Sequence, residues 1–123
     1  MDKNNRKIAL LIDCDNVSHN SIEGVLEELA KYGTVNVRHA HGDWNNPSLS
    51  GWADKLHPHA IRPMQQFAYT KGKNATDSAM IIDAMDLLYT GNFDGFCIVH
   101  CSGSVARKRR SVPQECGLSR IKA

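Results

Sequence analysis

Lys7-Ile8-Ala9-Leu10-Leu11-Ile12-Asp13-Cys14-Asp15-Asn16 is the stretch whose reading decides the fold. A short, unbroken apolar run that ends in a carboxylate suits a strand buried on both faces, as at the centre of a parallel sheet. Downstream, Asn20-Ser21-Ile22-Glu23 offers a helix cap with an acid three residues on. Ile22, Val25, Leu26, Leu29 and Ala30 then recur at helical spacing, and Gly33 supplies a stop. Thr34-Val35-Asn36-Val37-Arg38-His39-Ala40 alternates with period two and is rich in β-branched residues, which predicts a second strand. The unit is β-α-β.

Further along, Asn46-Pro47 pairs a cap with a first-turn proline, predicting a helix to about Leu56 with Trp52, Ala53 and Leu56 on one side. Ala60 to Phe67 is a weaker strand, and Pro63 restricts it to an edge or an end of the sheet. After a polar loop from Tyr69 to Ala75, Thr76 can cap a helix from Asp77 to about Tyr89. Its many apolar residues, from Ala79 to Leu88, predict that it is largely buried. Phe96-Cys97-Ile98-Val99 reads as another buried strand. Strands alternating with helices imply an α/β fold with a parallel sheet.

A chain of 123 residues with 41% hydrophobic and 23% charged content fits one globular domain. No apolar run approaches the ~20 residues of a membrane span and no signal-like segment follows the polar N-terminus, so a cytoplasmic protein with no membrane partner is expected. Cys14 and Cys97 lie inside apolar runs, as reduced, buried thiols do, and none of the four cysteines has CxxC spacing. The net charge of +2 hides a division at His100. Residues 1–99 carry 9 basic and 12 acidic side chains, a balance of −3, whereas residues 100–123 carry 6 basic and 1 acidic, a balance of +5. The tail has no apolar periodicity, runs through Arg107-Lys108-Arg109-Arg110, and is expected to be without structure.

In a parallel α/β sheet, the carboxyl ends of strands and the amino ends of the following helices converge on one rim. Asp13 and Asp15 end the first strand and Asp77 opens the helix that runs to about Tyr89, so all three land there. Hydrolysing a phosphodiester with Mg²⁺ needs hard oxygen ligands gathered from separate elements, with positions left open for the phosphoryl oxygen and the attacking water. The plainer alternative gives Asp13 and Asp15 to the turn and Asp77 to the positive end of a helix dipole. Asp83 falls about 240° around the helix from Asp77 at ~100° per residue, which predicts a supporting or surface position. Asn16 can hydrogen-bond an aspartate or a phosphate. Lys71 and Lys73 precede the helix and can contact phosphate, or simply solvate the loop. His39 and His41 alternate along the second strand, and His57 and His59 flank Pro58, but neither pair has a partner at a recognisable zinc spacing. Trp44 and Trp52 can stack on bases or pack in the core.

Three segments taken together, Leu11-Ile12-Asp13-Cys14-Asp15-Asn16, Lys73-Asn74-Ala75-Thr76-Asp77-Ser78-Ala79-Met80-Ile81-Ile82-Asp83-Ala84-Met85 and Phe96-Cys97-Ile98-Val99, resemble the NYN domain of the LabA-like, PIN-like family in order and spacing over residues 7–99. The resemblance implies a PIN-like three-layer α/β/α sandwich and a Mg²⁺- or Mn²⁺-dependent ribonuclease. It carries over Asp13 and Asp77 as catalytic metal ligands and Asn16 and Asp83 as supporting positions; Asp15 is an additional acid for the metal. RNA is then the expected partner, held in part by Lys71 and Lys73; a sheet edge truncated after the last strand would expose apolar surface, so instability or self-association, as in a homodimer, is a further expectation. Family members continue after the last strand with a segment resembling S-S-D-S-D-F, whereas this chain has His100-Cys101-Ser102-Gly103-Ser104-Val105. The expectation is therefore a partial domain over 1–99, incomplete at its C-terminus, with a basic tail over 100–123 from a shifted reading frame, and impaired catalysis. The alternatives are a non-catalytic RNA-binding or regulatory module and, last, a receiver-like phosphate-binding domain, for which a late lysine on a strand is missing.

Overall fold

The computed structural model describes residues 6–66, 74–101 and 116–121, and side chains over 6–66 and 79–100. In it the apolar run forms β1 (Lys7–Asp13), every residue of which after Lys7 is buried. β1 is central because parallel neighbours satisfy its backbone on both sides: β2 (Thr34–Gly42) on one and β4 (Gly95–Cys101) on the other. β3 (Arg62–Gln65) adds to β2 in parallel as the outer strand, so Pro63 does sit on an edge. β5 (Cys116–Ile121) closes the opposite edge antiparallel to β4, giving the order β3-β2-β1-β4-β5. β4 and β5 together carry ordered strand past His100, so the expectation of a tail without structure fails for residues 100–101 and 116–121. A single strand pairing at an edge depends on its partner rather than on its own periodicity, and the sequence of β5 gives no such warning.

The helices divide between the two faces. α1 (Ile22–Ala30) and α2 (Ser50–Leu56), the latter led by a 3₁₀ turn at Pro47–Leu49, cover one face. Their Ile22, Leu29, Leu49 and Trp52 pack with Ile8, Leu10, Ile12, Ala40, Cys97 and Val99 of the sheet. α3 (Asn74–Thr90) covers the other face through Met80 and Ala84, which meet Ala9, Leu11 and Phe96. Alternate residues of β1 thus feed opposite cores, which is what makes the sandwich three-layered. No helix among the described residues is long and apolar enough to cross a membrane.

Four local expectations need correction. Ser18, not Asn20, provides the cap at the entry to α1, its hydroxyl accepting from the Asn20 amide, because a 3₁₀ turn over His19–Ser21 precedes the helix. Ala53 is exposed, and the side of α2 that packs is Trp52 with Leu56. α3 begins at Asn74, so Thr76 lies within its first turn and Asp77 is its fourth residue. α3 is also far from largely buried: Ile81, Ile82, Met85, Leu88 and Tyr89 are exposed, Tyr89 by 81%. A helix that is apolar all round can bury only the stripe that one sheet face covers.

Candidate active site

β1 delivers Asp13 to the carboxyl rim. There the chain turns back: the Cys14 amide donates to the His41 carbonyl at 2.8 Å, and the Asp13 carbonyl accepts from the amides of Asn16 and Val17 at 3.2 and 3.1 Å. That tight turn brings the Asn16 side-chain amide to 2.9 Å from Asp13 Oδ2, to which it donates. Asp13 itself is only 2% exposed. An ionised carboxylate so buried is costly to hold without donors or a cation beside it, and Asn16 supplies one donor. Asn16 and Asp13 are therefore brought together.

Asp15 is turned elsewhere. It is exposed, and its Oδ1 accepts from the Asp43 amide at 3.2 Å, tying the turn after β1 to the loop after β2. Between them, burial and then the charges of Asp13 and Asp15 push the Cys14 thiol far up from its ordinary value, so it stays protonated and is no nucleophile. Asp77 lies in the first turn of α3 and its side chain is outside the described ones; Lys71 and Lys73 lie outside the described residues altogether.

Asp83 is neither a surface residue nor a bystander. Its side chain is 11% exposed, and its Oδ2 is 2.7 Å from His39 Nδ1 and 2.7 Å from His41 Nε2, whose side chains are 13% and 3% exposed. An ionised carboxylate only accepts, so the tautomers that fit carry a proton on Nδ1 of His39 and on Nε2 of His41. Burial pushes the Asp83 carboxyl up, but the hydrogen bonds from His39 and His41, and then their charges, outweigh it and hold the group well below the usual carboxylate range.

Sheet register explains why these residues meet. A register irregularity between Ile8 and Ala9 leaves Ala9 opposite Val37, Leu11 opposite His39 and Asp13 opposite His41. Val35 packs with the α1/α2 core and Val37 with the α3 core, although both are odd-numbered. The shift turns His39 and His41 to the α3 face, where Asp83 waits in the stripe of Met80, Ala84 and Leu87. The histidine pair, which has no partner at a zinc-like spacing in the sequence, thus has one on α3. His57 is exposed, and His59 reaches Glu23 at 3.3 Å.

Both tryptophans are structural. Trp52 is buried and donates from Nε1 to the Val17 carbonyl at 2.7 Å; Trp44 packs on the same core and donates to the Met64 carbonyl at 3.1 Å. Trp52, fully enclosed, has no face free to stack a base, and Trp44 is half-buried.

Residues 7–104 match the family model described as the NYN domain. No curated protein and no solved structure matches the chain.

Proposed function

The chain belongs to the NYN domain family, and from that membership we propose that it is a metal-dependent endoribonuclease that hydrolyses RNA phosphodiester bonds. The observation that carries the reading is the Asp13 carboxylate, buried at the carboxyl end of the central parallel strand and held by Asn16. Such a rim is where α/β sheets bind their ligands. Asp13 with Asp77, of the first turn of α3, and Asp15, once turned from its contact with the Asp43 amide, would give an all-oxygen donor set suited to Mg²⁺ or Mn²⁺ rather than to softer ions. A bound ion there would polarise the phosphoryl oxygen and lower the pKa of the attacking water.

In this reading Asn16 fixes the Asp13 rotamer so that one carboxylate oxygen is aimed consistently. Lys71 and Lys73, which precede α3 in the sequence, hold RNA phosphate. Residues 100–123 stand where the family's second acidic segment would be, so the ligand set is short and the enzyme is a weak one. The non-catalytic RNA-binding module remains the second reading, favoured by one observation: Asp15 and Asp83 are both engaged by internal partners.

Labelled single-stranded RNA incubated with the protein and Mg²⁺ or Mn²⁺ separates the two. Slow cleavage that disappears in Asp13→Asn and in Asp77→Asn supports the nuclease. Salt-sensitive binding with no metal-dependent cleavage supports the module and sinks the enzyme.

A further inference from the structure

We propose that His39, His41 and Asp83 form a second metal site, one that binds a zinc-class divalent ion and pins α3 to β2. It stands independently of the nuclease reading and differs from it in donor chemistry. Two imidazole nitrogens and one carboxylate oxygen are borderline ligands that favour Zn²⁺, Co²⁺ or Ni²⁺, whereas Mg²⁺ demands oxygens and keeps its waters.

The geometry is close to ready. The three ligand atoms lie within 4.8 Å of one another, and both ring nitrogens are 2.7 Å from the same carboxylate oxygen. With metal–ligand bonds of ~2.0–2.1 Å, ligand atoms around a tetrahedral ion stand roughly 3.4 Å apart. Opening each N···O contact by well under ~1 Å, and drawing the two imidazole nitrogens together to the same spacing by small rotations of the three side chains, admits the ion in place of the two shared protons. The elements are also suited to it. His39 and His41 are two apart on a strand paired on both sides, so their rings project from one face.

A hydrogen-bond network would also join the trio, and His41 Nδ1, buried and without a partner among the described residues, is unsatisfied with or without an ion at Nε2. The three side chains are only 3–13% exposed. Three protein ligands leave a fourth position, and the burial limits its occupant to water or another small ligand.

The test uses the full chain, freed of any histidine tag and stripped with EDTA. Co²⁺ is the first probe: one equivalent should bind with the visible spectrum of a four-coordinate ion, Zn²⁺ should displace it, and a large excess of Mg²⁺ should not. His39→Asn and His41→Asn should each weaken binding by at least about tenfold, while His59→Asn leaves it unchanged. Because a buried histidine variant can misfold, X-ray absorption on the unmutated, Zn²⁺-loaded chain gives a second measure, expected to show two imidazole ligands and no sulfur. Absence of saturable Co²⁺ binding, displacement by Mg²⁺ at comparable concentration, or a zinc shell with fewer than two imidazoles overturns the proposal. Loss of RNA cleavage in Asp13→Asn or Asp77→Asn bears only on the nuclease, and zinc binding should persist in Asp77→Asn.

Discussion

The two faces of the sheet are built on different terms. On the α1/α2 face, β1 contributes Ile8, Leu10 and Ile12 to a broad apolar core that runs from Ile22 and Leu29 to Trp52 and Ile61. On the α3 face it contributes Ala9 and Leu11 to a smaller cluster with Met80, Ala84 and Phe96, edged by Val37, Leu87, Phe93 and Ile98, and beside it stands a polar trio: His39, His41 and Asp83. The same strand thus faces a broad apolar core on one side and a smaller core with a polar trio beside it on the other, because side chains alternate across a strand. Asp13 ends this alternation opposite His41.

The comparison is easiest to break by cutting into each core. Trp52→Ala removes a buried indole and its bond to the Val17 carbonyl, and should cost about 3–5 kcal/mol. Met80→Ala, in the smaller cluster, should cost about 2 kcal/mol, the low end for such a truncation. Urea unfolding of both variants checks this; equal losses would mean that the α3 face is as closed as the other.

Asp83→Ala probes the polar half of the α3 face. It leaves His39 Nδ1 and His41 Nε2 without their acceptor in a nearly water-free place, which should cost about 1–3 kcal/mol. A loss below about 0.5 kcal/mol, the range of ordinary surface changes, would show that the contact is incidental.

How much of this was legible beforehand follows from where each signal lies. The β-α-β opening is local: an apolar run, a helical repeat and a period-two stretch each declare themselves within ten residues or so, and Pro63 declares an edge. Asp13 was legible for the same reason, as a charge ending an apolar strand. The His39–His41–Asp83 cluster was not, although part of it was. Spacing of two puts both histidines on one side of a strand, but which side depends on the irregularity between Ile8 and Ala9, and a one-residue shift inverts the answer. Their partner comes from 42 to 44 residues away. One clue was present: Asp83 falls at helical spacing within the stripe of Met80, Ala84 and Leu87, and a charge inside a buried stripe implies something to pair with. The composition of α3 pointed the wrong way, since apolar residues all round suggest burial all round, and the sheet has only one face to offer.

The smallest effect sharpens the comparison through a second carboxylate. Glu23 of α1 accepts from Lys55 Nζ at 2.8 Å and approaches His59 Nε2 at 3.3 Å, so it clamps α1 to α2 as Asp83 joins α3 to β2. Its pKa is lowered to about 2, chiefly by the hydrogen bond from Lys55. A folded value below the unfolded one, ~4.3 for a glutamate, means stability that is present above pH ~4.3 and lost as the pH falls toward about 2. The same sign holds for Asp83, whose carboxyl is also lowered, with its loss beginning below the ordinary aspartate value of ~3.9. What separates them is solvent: Glu23 is half exposed and screened, Asp83 is not. In acid unfolding, Asp83→Asn should therefore flatten the dependence of stability on pH below about 4 more than Glu23→Gln does. Equal flattening by the two variants would put the two clamps on one footing and remove the distinction between the faces.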